Sequence, residues 1–279
     1  MGVIVWLINK GTSSMFMRFL VFVFDVLPSN LLSRLFGMWA SIAFPYPLQV
    51  FFNRAFCFFC RIDLSDCGKA HGDFKTVNAL FTRQVDMKDR PVEEGFPSPC
   101  DGKQLQFSES YRGVAVQAKS LDYDLNTLCA TKSADFSWYS TIYLSPKDYH
   151  RVHCPIDGEI IQATHVPGDL FPVNDIFLPF KEGIFSENER VVFQILNPEI
   201  QANLYLVMVG AYNVGSVVSE FFPDLKTNVS GKRRSVLKAP ASAKISKGDE
   251  LATFRLGSTV VLAFEKGFDS VYKLSLIHI

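Results

Sequence analysis

Leu256-Gly257-Ser258-Thr259 breaks a strand pattern close to the C-terminal end of the chain, and the rest of the sequence is read outward from it. Before it, Lys247-Gly248-Asp249-Glu250 carries the glycine and aspartate of a turn. After it, Val260-Val261-Leu262-Ala263-Phe264 is a continuous apolar run with the length of a buried strand. A Gly-Ser pair at such a junction serves a bulge or tight turn, where glycine supplies φ freedom and serine bonds its own backbone. It also permits a second chemistry. The Ser258 hydroxyl can attack the carbonyl of Gly257, the least obstructed residue to carry one, whose flexibility lets the peptide reach a strained geometry. On local sequence alone the turn is the ordinary reading.

From residue 98 onward the chain is mostly short strands and turns. Candidate strands span 114–118, 138–144, 159–166, 191–196, 204–209, 214–220 and 259–265. Turn residues separate them at Asp101-Gly102, Asp157-Gly158, Pro167-Gly168-Asp169 and Lys247-Gly248-Asp249. The best helical run in this part is 121–130. So many β elements predict an α+β chain: a compact, mostly antiparallel β domain over 63–279, preceded by a helical region over 1–62.

The helical region is apolar, aromatic and locally basic. Residues 35–53 carry no charge, but Pro45-Tyr46-Pro47 should split them into helices of about 30–44 and 48–60. In the first, Leu31, Leu35, Met38 and Ile42 share one face and Ser33 points away, which is amphipathic spacing. Up to Ile62 the bases Lys10, Arg18, Arg34, Arg54 and Arg61 stand against the single acid Asp25. That combination suits a helical hairpin lying in the headgroup layer of an anionic membrane. Packing on the β domain, or on a second subunit, is the other use of such helices. No secretory signal is read at the N-terminus, and residues 61–75 read as a linker.

The 279 residues contain 28 basic and 28 acidic side chains, so the whole-chain balance argues against nucleic-acid binding. Hydrophobic residues make up 48% and phenylalanine alone supplies 26, a composition that suggests contact with something greasy. Six scattered cysteines read as free thiols in a reducing compartment. A His-x-x-His pair, His150 and His153, could bind metal, but no neighbouring Glu completes a zinc-protease motif, so no metal is expected. If the segment is extended, these two histidines lie on opposite faces; if helical, on one.

Leu256-Gly257-Ser258-Thr259 resembles the self-cleavage site of the pyruvoyl-dependent phosphatidylserine decarboxylases of bacterial and mitochondrial type, and further signatures stand upstream in order. They are Ser98-Pro99-Cys100-Asp101-Gly102, the run from Leu144-Ser145-Pro146-Lys147-Asp148 through Tyr149-His150-Arg151-Val152-His153, and Val166-Pro167-Gly168-Asp169-Leu170-Phe171. Asn188-Glu189-Arg190 and Val209-Gly210-Ala211-Tyr212-Asn213-Val214-Gly215-Ser216 complete the set. The likeness covers about 27–264. Phe81-Thr82-Arg83 and Arg90-Pro91 also look like elements of that family, and either arginine could hold a phosphate or carboxylate, or form a salt bridge within the fold.

The resemblance implies a triad in which Ser258 is the nucleophile, His153 the general base and Asp101 the acid that orients it. It implies autocatalytic serinolysis: Ser258 Oγ adds to the Gly257 carbonyl, the peptide becomes an ester, and elimination and hydrolysis leave a pyruvoyl group. The products would be chains 1–257 and 258–279, with the pyruvoyl derived from Ser258 as the only cofactor. That group would act as an electron sink for decarboxylation of phosphatidylserine to phosphatidylethanolamine, with His150 contacting substrate and His153 or His150 donating a proton. It further implies peripheral attachment through the N-terminal helices, at the cytoplasmic face of a bacterial membrane or at the mitochondrial inner membrane, and a homodimer. The ending Leu274-Ser275-Leu276-Ile277-His278-Ile279 departs from the family's usual tail.

His165 reads as structural. Phe171, Phe177 and Phe180 could floor an acyl-chain path, and Gly231-Lys232-Arg233-Arg234 could meet headgroups or form a solvated loop. Two other functions fit the same residues. One is a membrane-associated serine hydrolase using Asp101, His153 and Ser258 on an external ester. The other is a non-catalytic lipid-binding relative.

Overall fold

The computed structural model describes residues 14–90, 92, 95–118, 121–174, 177–212, 216–229, 233–240, 243–255 and 259–269. The scissile candidates Gly257 and Ser258, with Leu256, lie outside the described residues, as do 213–215 and 230–232.

The fold is α+β, organised on one antiparallel sheet. An interior strand is β13 (Thr259–Glu265), hydrogen-bonded on one side to β4 (Phe136–Tyr143) and on the other to β8 (Ala202–Val209). Beyond β4 lies β1 (Lys103–Glu109). Beyond β8 come β7 (Arg190–Asn197), β6 (Gly158–Val166) and β10 (Ser235–Lys238), with β11 (Lys244–Ile245) also on β6. The apolar run after the Gly-Ser pair is thus buried on both faces, as a strand without polar alternation requires. A smaller sheet joins β5 (Arg151–His153), β12 (Glu250–Phe254) and β9 (Val217–Val218). A third pairs β2 (Val114–Ala118) with β3 (Leu121–Asp124).

Three expectations need correction. The helix expected over 121–130 is β3 followed by the short helix α5 (Leu125–Leu128). Buried Tyr123 alternates with exposed Asp122 and Asp124, a period of two, and the Asp124 carboxylate then caps α5 by accepting the Thr127 N–H at 2.6 Å. Residues 61–75 are not a free linker. Ile62 and Phe74 are buried with Cys57 and Leu80 in a second small core, and 3-10 turns at Ser65–Cys67 and His71–Asp73 fold the segment. Of the strand expected over 214–220, only Val217–Val218 is a strand among the described residues.

Helix α1 (Ser14–Val26) meets α2 (Ser29–Ala40) at 73°. Pro45-Tyr46-Pro47 breaks the chain before α3 (Tyr46–Cys60), with proline in its first turn, where a missing N–H costs nothing. Short helix α4 (Val77–Phe81) follows, capped by Thr76, and α6 (Ile184–Glu187) lies between β6 and β7. Among the described residues no single helix is long and apolar enough to cross a membrane.

Helices α2 and α3 are turned inside out. α2 buries Ser29, Ser33 and Ala40, while Leu31, Leu35 and Met38 of its apolar stripe are exposed. α3 buries Gln49, Asn53 and Cys57 and exposes Phe51, Phe58 and Phe59. The buried polar face is satisfied: Gln49 Nε2 donates to Asn53 Oδ1 at 2.8 Å, and Asn53 Nδ2 donates to the carbonyls of His71 and Phe74 at 2.8 and 2.9 Å. Such a network holds 61–75 in place at the cost of leaving the apolar side outward.

Candidate active site

Strand register carries the quoted motifs to one end of the large sheet. Lys103, Tyr143, Thr259, Val209, Arg190 and Val166 form one row across β1, β4, β13, β8, β7 and β6. Immediately beyond that row, among the described residues, stand Asp101-Gly102, Leu144-Ser145, Gly210, Asn188-Glu189 and Pro167-Gly168, and Thr259 in the row follows the Gly-Ser pair in sequence. Gly102 has φ +150, and a Cβ there would meet the Tyr143 carbonyl oxygen at 2.5 Å, so only glycine lets the Asp101 turn approach β4.

The chain entering the Gly-Ser pair is fastened to the histidine segment. β12 pairs with β5, and the Phe254 N–H donates to the His150 carbonyl at 3.0 Å. The Arg255 N–H donates to the Ser216 carbonyl at 2.9 Å, and Thr259 resumes in β13. Residues 256–258 are therefore bracketed by fixed strands on both sides.

Because β5 is extended, His150 and His153 face opposite ways. His150 is fully buried against Phe81 of α4, ring centroids 3.9 Å apart. Neither of its ring nitrogens reaches a partner at hydrogen-bond geometry. Burial, opposed by the Asp148 backbone and reinforced by nearby Arg83, lowers its pKa to about 3, so the ring is neutral at physiological pH.

His153 is half-buried and held at both nitrogens. Nδ1 lies 2.8 Å from the Gly248 carbonyl oxygen, and Nε2 lies 3.1 Å from the Tyr149 hydroxyl. Asp101 is placed elsewhere. Its Oδ2 accepts from Arg90 Nη2 at 2.7 Å, and the nearby Tyr149 backbone N–H favours its charged form. Asp101 and His153 share no hydrogen bond, but both neighbour Tyr149. Burial pushes the Asp101 carboxyl upward, with Arg90 opposing and Asp148 adding to the rise. The 98–101 turn is nevertheless tied to β5, since the His153 N–H donates to the Pro99 carbonyl at 2.7 Å.

Both arginines before β1 are engaged within the fold. Arg83, buried, donates to Asp66 at 3.5 Å and to the Lys147 carbonyl at 3.2 Å; Arg90 pairs with Asp101. Beyond β8, Asn188 is fully buried and mimics a strand edge. Its Nδ2 donates to the Phe171 and Gly210 carbonyls and its Oδ1 accepts the Phe171 N–H. Glu189 Oε1 bonds His165 Nε2 at 2.8 Å and the Asn228 N–H at 2.7 Å, which gives His165 a partner inside the fold. Phe171 and Phe177 are buried, edge-on to each other and to Phe24 of α1. Arg233 and Arg234 are exposed, and Arg234 donates to the Ala130 carbonyl.

Sequence reasoning located Asp101, His150 and His153 but missed Tyr149 and Gly248 as partners of His153. Tyr149 lay inside a quoted motif, and its spacing of four from His153 was the available signal. The Gly248 carbonyl has no side-chain signature at all.

The family model for phosphatidylserine decarboxylase matches residues 77–275. The chain is 37% identical over 246 residues to a phosphatidylserine decarboxylase proenzyme of Campylobacter jejuni, covering 84% of this chain and 90% of that one. It is 36% identical over 241 residues to the proenzyme of Helicobacter pylori, covering 84% and 88%. To that of Myxococcus xanthus it is 33% identical over 248 residues, covering 86% and 87%.

Proposed function

The chain belongs to the phosphatidylserine decarboxylase family, and on that footing we propose that it is a proenzyme that cuts its own backbone at Gly257-Ser258 and then converts phosphatidylserine to phosphatidylethanolamine and CO2. The observation that carries the reading is the register row. It sets the Asp101 turn, the segment after β4 and Thr259 at one sheet end, with β12, which precedes the Gly-Ser pair in sequence, tied onto the His150–His153 segment, and this supports the reading.

In self-processing, Ser258 Oγ is the nucleophile, His153 Nε2 takes its proton and Asp101 supports the base. The pyruvoyl group formed from Ser258 supplies an electron sink for the pair left by departing CO2. Two buried polar groups fit a keto and amide function at residue 258. Thr259 is its neighbour in sequence and has an unpartnered Oγ1, and the His150 ring nitrogens make no hydrogen bond of full geometry within the fold. His150 is neutral, so it serves as a hydrogen-bonding contact for substrate rather than as an acid, and proton delivery falls to His153.

The first 62 residues form the membrane-facing part. The inverted amphipathicity of α2 and α3 supports this, because the exposed stripe adjoins Arg54 and Arg61 and no protein element described here covers it. On this reading the enzyme is peripheral, at the cytoplasmic face of a bacterial membrane or at the mitochondrial inner membrane. A second copy of the chain, in a homodimer, is the competing cover for the same face.

Intact-mass measurement of the wild type beside Ser258→Ala tests the core of the proposal. The wild type is expected as two fragments, the smaller blocked at its N-terminus, with CO2 released from phosphatidylserine. Ser258→Ala is expected whole and inactive. Cleavage of Ser258→Ala like the wild type would overturn the assignment.

A further inference from the structure

We propose that Tyr149 is a positioning residue for self-processing, the link through which Asp101 acts on His153. This rests on the maturation chemistry above but not on the identity of the lipid. In a serine triad of the usual geometry a carboxylate holds Nδ1 of the histidine. Here that nitrogen belongs to the Gly248 carbonyl, 2.8 Å away. A carbonyl oxygen only accepts, so Nδ1 carries the hydrogen and the lone pair of neutral His153 sits on Nε2. The Tyr149 hydroxyl, 3.1 Å away, donates to that lone pair. Burial holds its pKa up at about 12, which keeps the phenol protonated and a donor.

The rest of the residue is fixed from the Asp101 side. Its backbone N–H lies near the Asp101 carboxylate and favours the charged form. The Arg90 guanidinium, paired with Asp101 at 2.7 Å, lies 4.9 Å from the centre of the Tyr149 ring. That ring stacks on His153 with planes 23° apart. Asp101 therefore sets the plane of the imidazole through Tyr149, the Gly248 carbonyl fixes its tautomer, and the hydroxyl keeps Nε2 aimed until Ser258 Oγ replaces it. Gly248 has φ +92, which suits the turn that presents its carbonyl.

Timing the cleavage of freshly synthesised full-length chain tests this. Tyr149→Phe keeps the stacked ring and loses only the donor. Processing is expected about tenfold slower at pH 7. Charged groups on the segments packed against His153 stay the same in the variant: Arg90 and Asp101, Asp148, Arg151 with Glu250, and Lys247 with Asp249. An unchanged processing rate would overturn the proposal.

Asp101→Asn combined with Tyr149→Phe should process no more slowly than the slower single variant, whereas fully multiplied losses would show that the two residues act separately. Nitrogen NMR of the Ser258→Ala proenzyme needs no change at Tyr149. It should show His153 as the Nδ1–H tautomer at pH 8, and the Nε2–H tautomer would sink the idea. If Ser258→Ala is itself cleaved, the functional proposal fails and the tautomer result still judges this one.

Discussion

His150 is held wholly out of water with only the Asp148 backbone to favour its charged form, which makes its contribution to stability depend on pH. Its folded-state pKa of about 3 lies below the value of about 6.5 expected in the unfolded chain. Between those values the unfolded chain binds a proton that the folded one does not, so stability falls as pH drops through that window. The full gap sets a ceiling of about 5 kcal/mol. His150→Leu removes the group while keeping a similar volume. Urea titrations at pH 7.5 and 4.5 should show the variant losing roughly 2–3 kcal/mol less than the wild type between the two. Equal losses would mean that the imidazole is not held neutral. At this scale the sequence displayed the reactive types, since His150, His153, Asp101 and Ser258 stand in recognisable runs. It did not display their pairing, because the group on His153 Nδ1 is a backbone carbonyl, which any residue could supply.

The elements before the β body show where periodicity stops being informative. Spacing of 3.6 residues located the stripe Leu31, Leu35, Met38 and Ile42 but could not say which way it faces. The structure turns it outward and buries Ser29, Ser33 and Ala40 instead; on α3 the apolar side faces outward too, because Gln49 and Asn53 are inside to bond the chain at 61–75. Phe58 and Phe59, 79% and 81% exposed at the end of α3, then become the most testable residues of the side proposed to face a membrane. Phe58→Ser with Phe59→Ser should weaken sedimentation with anionic vesicles by about tenfold or more, given ~1.5–3 kcal/mol per buried aromatic, without lowering the unfolding temperature. Unchanged vesicle binding with loss of a dimer would assign the face to a second copy instead. β3 teaches a related lesson. Four residues of alternating burial before a capping aspartate were too few to outweigh the helix formers around them.

Across the whole molecule, strand existence was legible and strand order was not. Apolar runs marked β4, β6, β7, β8 and β13, yet nothing local says that the last of them inserts between β4 and β8. That insertion decides the fate of the cleaved product. All of β13 but its final residue is buried, and it is laddered on both edges to strands of the larger chain. Native size-exclusion chromatography should therefore give one peak containing both chains, and the short chain should be released by urea only as the whole fold melts. Its loss under native conditions would contradict the placement of β13. Since the strand is already seated when its peptide link is severed, maturation has no encounter step. The two pieces do not sit in a binding equilibrium in the ordinary sense, and diluting the mature protein should leave its specific activity unchanged where a conventional two-subunit enzyme would fall apart.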